Sequence, residues 1–222
     1  MLARQSDAET LGVAGGDGSL AAVAEVAIER GVPFVCVPLG TRNHFARDLG
    51  LDRADPRAAL ATFEGEERRV DVGRVGDRLF LNNVSFGAYA SLVHRHEHDR
   101  RRREAFAGAR ALRLATQHPR LLGLTVDGDA VAGRVILVAN NAYELRLFDL
   151  GARPTLSGGR LHLYWADGLL PTTWNKRAGE TFTLTGGGPL AAAVDGEPVE
   201  LDSPVDFRIE PRALRVLVPP GL

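Results

Sequence analysis

Two glycine-bearing loops hold the residues of this chain whose types and spacing could do chemistry. The first is Gly15-Gly16-Asp17-Gly18-Ser19, set between apolar residues 11–14 and an alanine-rich stretch that begins at Leu20. A short strand that enters a glycine cluster and leaves into a helix presents backbone N–H groups to a phosphate at the helix N-terminus. Glycine lets the backbone come close to a ligand, and Ser19 can cap the helix or bond a phosphate oxygen. Asp17 repels phosphate unless a divalent cation lies between them, so the loop reads as a metal-assisted nucleotide site with Asp17 as the candidate metal ligand. Two other readings compete. Gly16 to Ala21 fits the G-x-G-x-x-A form of a dinucleotide fingerprint, but the strand expected over residues 32–37 runs into Pro38-Leu39-Gly40 with no acid for a ribose. The third is a glycine-rich turn with no ligand.

The second loop, PLGTRNHFARDLG over residues 38–50, follows that strand. In an open α/β sheet the carboxyl ends of neighbouring strands share one crevice, so Gly40, Thr41 and Asn43 would face the same ligand as Gly15 to Ser19.

The elements that must position these loops follow from periodicity. Leu20, Val23, Ala24, Ala27 and Ile28 fall at helical spacing over residues 20–30, and Gly31-Val32-Pro33 ends that helix. Residues 32–37 are continuously apolar and suit a buried parallel strand. The first ten residues read as irregular, a short helix is expected over 55–63 with Pro56 in its first turn, and Gly65-Glu66-Glu67 marks a domain boundary. Beyond it the period changes to alternation. Residues 69–75 and 79–84 flank Gly76-Asp77 as a hairpin, 88–116 read as helical, and 121–126 and 131–139 flank Asp127-Gly128. Further strands are expected over 160–165, 181–185, 190–194, 205–209 and 214–218, a pattern that fits an antiparallel sandwich. The expected organisation is an α/β nucleotide-binding domain over residues 1–66 followed by a β-sandwich substrate domain over 67–222.

Composition bounds the function. With 222 residues, 45% of them hydrophobic and 25% charged, the chain is ordinary for a soluble globular protein, and a formal net charge of −1 argues against a general nucleic-acid binder. Cys36, the single cysteine, sits in an apolar strand and reads as core, which fits a reducing compartment. No signal peptide and no membrane-spanning apolar run is seen, so a cytoplasmic location is expected. His94 and His98 would share a helix face near His96, but nothing accompanies them as a zinc set. The run Arg100 to Arg103 reads as a solvated face, diluted by Glu97, Asp99 and Glu104.

GGDGS, a helix, a hydrophobic strand and then PLGTRNHFARDLGL together resemble the catalytic domain of the diacylglycerol kinase family, which includes sphingosine kinases and bacterial soluble lipid kinases and is related to NAD kinases. The resemblance continues through Val70-Asp71-Val72-Gly73, Phe80-Leu81-Asn82-Asn83 and Asp195-Gly196-Glu197. It implies a Rossmann-like α/β domain, here truncated because the family's usual upstream strand and helix are not seen, followed by an antiparallel β-sandwich, with the active site in the cleft between them. It implies ATP and Mg2+ as cofactors, a diacylglycerol-like or sphingoid lipid as substrate, peripheral contact with a membrane, and compatibility with a homodimer. By the same resemblance Asp195 matches the general base acting on the lipid hydroxyl, Glu197 joins the nucleotide site, and Asp71 joins the carboxylate and water network around magnesium. Taken by themselves, Asp195-Gly196 is a plain hairpin turn, as Asp127-Gly128 is read to be, and Asp71 is a solvent-facing strand residue. There are two departures from the family pattern: His44 stands where an acid is usual, and residues 153–159 lack the acids that hold a structural magnesium in many bacterial members. The alternative is a nucleotide- or lipid-binding member with little kinase activity; NAD phosphorylation is a third reading, further from the second loop.

Overall fold

In a computed structural model the described residues are 2–40, 43–52, 55, 57–87, 122–146, 149–166 and 174–220. The helix expected over 88–116, with its His94, His96, His98 and Arg100 to Arg103, lies outside them, as do Thr41 and Pro56.

The chain opens with a short helix α1 (Leu2–Gln5), then β1 (Leu11–Gly15), α2 (Asp17–Arg30), β2 (Phe34–Pro38), α3 (His44–Asp48) and a 3-10 helix (Ala58–Glu64). The N-terminus is therefore not wholly irregular. Packing against α2 orders it: Arg4 pairs with Glu29 at 2.8 Å, and Arg30 donates to the Ala3 and Ala8 carbonyls. Helix α2 starts earlier than its apolar spacing indicates, at Asp17, so Ser19 sits inside the first turn instead of capping it. Its end is as expected, because Gly31 takes φ 65° and donates back to the last turn. The short helix expected over 55–63 is a 3-10 helix over Ala58–Glu64.

The remaining strands are β3 (Glu66–Val75), β4 (Arg78–Phe80), β5 (Asn83–Gly87), β6 (Leu122–Val126), β7 (Asp129–Gly133), β8 (Val135–Asn140), β9 (Leu145–Arg146), β10 (Asp149–Leu150), β11 (Leu161–Ala166), β12 (Asn175–Gly179), β13 (Thr181–Thr185), β14 (Leu190–Val194), β15 (Glu197–Leu201) and β16 (Val205–Val218). The hairpins at Gly76-Asp77 and Asp127-Gly128 form, Val75 pairing with Arg78 and Val126 with Asp129. The run expected over 79–84 is two strands, because residues 81–82 leave the ladder.

One sheet runs β1-β2-β16-β13-β6-β7, with β3 on β16 and β4 on β3; a second runs β12-β11-β8-β5-β14-β15. The first is parallel where β1, β2 and β16 meet and antiparallel elsewhere. Its antiparallel half packs on the second sheet through Phe80, Phe86, Phe182, Phe207 and neighbouring aliphatics, with Phe207 edge-on to both Phe80 and Phe86. The other core lies under α2 and gathers Leu20, Ala24, Ala27, Phe34, Val35, Phe45, Val70, Val72, Leu214 and Val216. Strands β3 and β16 thus carry side chains into both cores. The architecture is a mixed α/β unit followed by an antiparallel β-sandwich. Cys36 is buried in the first core and its thiol is pushed up to about 12 by that burial, which suits a packing role.

Strand β16 is continuous where two strands are expected. Between Glu210 and Leu214 the register shifts in a bulge, with Arg212 at φ 53°, and Pro211 in that bulge gives the sequence the look of a break.

Candidate active site

The two glycine loops meet. The Leu39 and Gly40 N–H groups both donate to the Gly15 carbonyl, at 3.2 Å each. A side-chain carbon on Gly40 would strike the Gly16 Cα and the Asn43 Oδ1, so glycine is required here by close approach. Asn43 closes the second loop on itself: its Oδ1 accepts from the Gly40 N–H at 2.9 Å and its Nδ2 donates to the Gly40 carbonyl at 2.7 Å. Buried and in the left-handed conformation at φ 50°, Asn43 is also the residue that opens α3.

Asp17 caps that helix from a distance. Its Oδ2 accepts from the His44 N–H at 3.2 Å, and its Oδ1 accepts from the Phe45 N–H at 3.1 Å and from Asn82 Nδ2 at 3.0 Å. The first turn of α3 is therefore occupied by a protein carboxylate. The first turn of α2 has Gly16 at its cap with no side-chain hydrogen bond, which leaves its backbone donors, with the exposed Ser19 hydroxyl, facing outward beside Gly40. Glu197 lies over the same turn, since a side-chain carbon on Gly18 would meet its carboxylate.

Asp195 sits at the tip of the β14–β15 hairpin, where Asp195 and Gly196 take φ 48° and 87°. This is the turn that Asp127 and Gly128 make at φ 52° and 89°. The side chains differ in what they face. Asp127 accepts from the Thr183 N–H and pairs with the part-exposed Arg177 at 2.9 Å. Asp195 points into the gap left by residues 81–82 and accepts three backbone N–H groups: Leu81 at 2.7 Å, Asn82 at 2.8 Å and Asn83 at 3.1 Å. Although the residue is partly exposed in its turn, loss of water around the carboxylate pushes it up to about 7. The Leu81 N–H pulls the other way, and the charge of Asp17 adds to the rise.

Asn82 is the hinge between the two carboxylates. Its N–H goes to Asp195, its Nδ2 to Asp17, and its Oδ1 accepts from Arg153 Nη2 at 2.9 Å. Asn140, Asn141, Tyr143 and Arg153 complete a buried polar layer behind it that residue spacing alone did not single out. Asp71 belongs to this layer and is not solvent-facing. At 1% exposure, its carboxylate accepts from the Arg212 N–H at 2.8 Å, the Gly159 N–H at 2.7 Å and Asn141 Nδ2 at 3.1 Å. It thereby holds the β16 bulge and the turn before β11. The structure thus brings Gly15, Gly16, Asp17, Gly18, Ser19, Gly40, Asn43 and Glu197 to one edge, links Asp195 to them through Asn82, and sets Asp71 behind. Among the described residues no group of three or more His, Cys, Asp or Glu side chains is arranged to hold a metal ion.

The diacylglycerol kinase catalytic domain profile matches residues 1–75. A Pseudomonas aeruginosa (PAO1) protein named probable lipid kinase YegS-like is 31% identical over 96% of this chain and 77% of its own length. A Klebsiella pneumoniae protein of the same name is 27% identical over 98% of this chain and 80% of its own length. The crystal structure of a diacylglycerol kinase from Bacillus anthracis str. Sterne superposes with a TM-score of 0.66 at 15% identity, covering 98% of this chain and 79% of that one, a likeness of fold. The chain therefore belongs to the diacylglycerol kinase catalytic domain family, a family of lipid kinases.

Proposed function

We propose that the protein transfers the γ-phosphoryl group of ATP to a hydroxyl of a diacylglycerol-like or sphingoid lipid. The observation that carries this reading is the placement of Asp195. Its carboxylate is desolvated, held by three backbone N–H groups, and joined through Asn82 to the loop that offers free helix donors. Phosphoryl transfer needs little covalent help from a protein: it needs a phosphate cradle, charge neutralisation and a group that orients the nucleophile. Gly15 to Ser19, with Gly40 and Asn43, would form the cradle, to which Thr41, outside the described residues, is assigned from the sequence alone. Asp195 accepts the proton of the lipid hydroxyl as that oxygen bonds to the γ-phosphorus, and the bond to the β,γ-bridging oxygen breaks to release ADP.

The residues at the cradle fit magnesium, because the donors there are carboxylate oxygens and Mg2+ prefers oxygen. Asp17 would hold it through its Oδ2, which accepts the His44 N–H and has a further lone pair to offer. The Asp71 carboxylate would act one layer behind, through Asn141, whose Nδ2 donates to both Asp71 Oδ2 and Asn140 Oδ1, while Asn140 Nδ2 donates to the Leu81 carbonyl. The ion would neutralise phosphate charge beside Asp17 and Glu197. A lipid substrate calls for peripheral approach to a membrane from the cytoplasm, and no described helix is long and apolar enough to cross one. We do not assign nucleic acid as a partner, and a homodimer is compatible with this reading.

Glu197 motivates a second reading. Its carboxylate lies against Gly18, where it would repel a phosphate at that turn, so a nucleotide- or lipid-binding member with little or no kinase activity is the alternative. Magnesium-dependent transfer of labelled γ-phosphate to a panel of diacylglycerols and sphingoid bases decides between them. Labelled lipid that is lost in Asp195→Asn is the expected result. Folded wild-type protein that binds ATP but labels no lipid overturns the kinase reading in favour of the binder.

A further inference from the structure

Arg153 is a buried cation that ties together segments up to 105 positions away in sequence. Its guanidinium donates from Nε to Asp48 Oδ2 at 2.7 Å, from Nη1 to the Leu81 carbonyl at 2.6 Å and the Asn140 carbonyl at 3.0 Å, and from Nη2 to Asn82 Oδ1 at 2.9 Å. Both side chains of the ion pair are fully buried. Its planar face lies over the Tyr143 ring, 5.6 Å from the centroid, and the Tyr143 hydroxyl accepts from Asn83 Nδ2 at 3.2 Å.

We propose that Arg153 is a positioning residue for the transfer reaction: its guanidinium locks the turn at 81–83, which holds Asp195, to helix α3, which follows the second glycine loop. The inference rests on the kinase reading above for its catalytic consequence, and on geometry alone for the lock. A buried ion pair by itself adds little net stability, because desolvating both charges offsets their attraction. This pair instead spends its remaining donors on three acceptors in two other segments, a task that the fork of a guanidinium can perform and a lysine ammonium cannot. Two of those acceptors, the Leu81 carbonyl and Asn82 Oδ1, belong to the residues whose N–H groups bind Asp195. The third, the Asn140 carbonyl, belongs to the asparagine that also holds the Leu81 carbonyl through Nδ2. Asp48 is the last residue of α3, and the first turn of that helix is held by Asp17. The guanidinium therefore fixes the distance between the nucleotide loops and the base from behind, without touching either ligand.

Arg153→Lys tests this, because it keeps the charge opposite Asp48 and loses the fork. Two readouts are taken against wild type. Backbone amide hydrogen exchange at Leu81, Asn82 and Asn83 is expected to speed up by about tenfold or more, with amides of β2 and β16 unchanged. In the γ-phosphate transfer assay kcat is expected to fall by about tenfold or more while the KM for ATP stays within about twofold, the signature of a misplaced base with an intact nucleotide loop. Unchanged exchange at the three amides, or exchange that rises equally in β2 and β16, overturns the lock. Local exchange with unchanged kcat overturns the positioning role. If Arg153→Lys does not fold, the neutral pair Asp48→Asn/Arg153→Gln buries no unmatched charge and is read the same way. A wild-type protein that labels no lipid refutes the kinase reading, and the exchange result still decides the lock.

Discussion

Gly40→Ala separates the two glycine loops by the smallest possible chemical change. Gly40 is not in the left-handed region, so alanine brings no backbone strain; it brings one methyl aimed at the Gly16 Cα and Asn43 Oδ1. Neither neighbour can give way cheaply, since the first is backbone and the second is 2% exposed and bonded twice to Gly40 itself. Losing the reciprocal pair costs about 2 kcal/mol at about 1 kcal/mol per hydrogen bond. Forcing the methyl in adds about 1–3 kcal/mol where the loops do not part. For a chain of this size that total of about 3–5 kcal/mol lowers Tm by roughly 6–20 °C. Restoring the cradle around a triphosphate must repay at least the lost pair, and about 2 kcal/mol charged against binding weakens ATP about 30-fold. Calorimetric titration with Mg-ATP reads that loss. The control is Gly123→Ala, where the added carbon meets nothing within 4 Å, and it is expected to stay within about 0.5 kcal/mol of wild type. Wild-type ATP affinity and Tm in Gly40→Ala would refute the contact between the loops.

At Gly18 the same substitution works differently, because the added methyl meets the side chain of the exposed Glu197, which can swing away. Stability is expected to hold or rise by up to about 1 kcal/mol, the helix preference for alanine, while ATP binding weakens if Glu197 serves the nucleotide; thermal melts and titration on one sample check both. Asp195 sets a pH dependence. Its folded pKa of about 7 lies above the ordinary 3.8, so its contribution to stability is present below about 3.8 and lost as pH rises through about 7. Melts of wild type against Asp195→Asn from pH 4 to 8 are expected to show wild type losing ground with rising pH, and a constant difference would refute the desolvated carboxylate. Catalysis runs opposite, because the base must be ionised: kcat is expected to climb through about pH 7. Asp71→Asn replaces an acceptor of three N–H groups by one with a single acceptor oxygen, and chemical denaturation is expected to show a loss of about 2–4 kcal/mol with ATP affinity little changed.

Much of the glycine-loop edge was legible in the sequence because it is local. Strand, glycine cluster and helix follow one another at residues 11–30, and the second loop follows the next strand, so chain order alone places Gly16 beside Gly40. Turn chemistry also reads locally: Gly76-Asp77 and the Asp-Gly pairs at 127–128 and 195–196 mark hairpins, with Gly76, Asp127, Gly128, Asp195 and Gly196 at the positive φ such turns need. What separates Asp195 from Asp127 is not local. The two residues share a turn, and only the strand opposite differs: across from Asp195 the ladder stops at residues 81–82, freeing the N–H groups that a paired strand would have used. No pattern within residues 79–84 announces that stop.

Arg153 and Asp48 lie 105 positions apart and each looks like an ordinary surface residue, so their buried pairing shows only in three dimensions. Residues 153–159, which lack the acids expected of many bacterial relatives, tie into the same layer, with Gly158 bonding Asn141 and Gly159 bonding Asp71. Behind Asp195, then, this chain places a guanidinium and a set of asparagine amides. These groups have fixed directions, and an amide carries no charge to be neutralised. A site built this way holds the Asp195 carboxylate through the protein alone, so that under the proposed kinase reading the base would be preorganised before any nucleotide arrives.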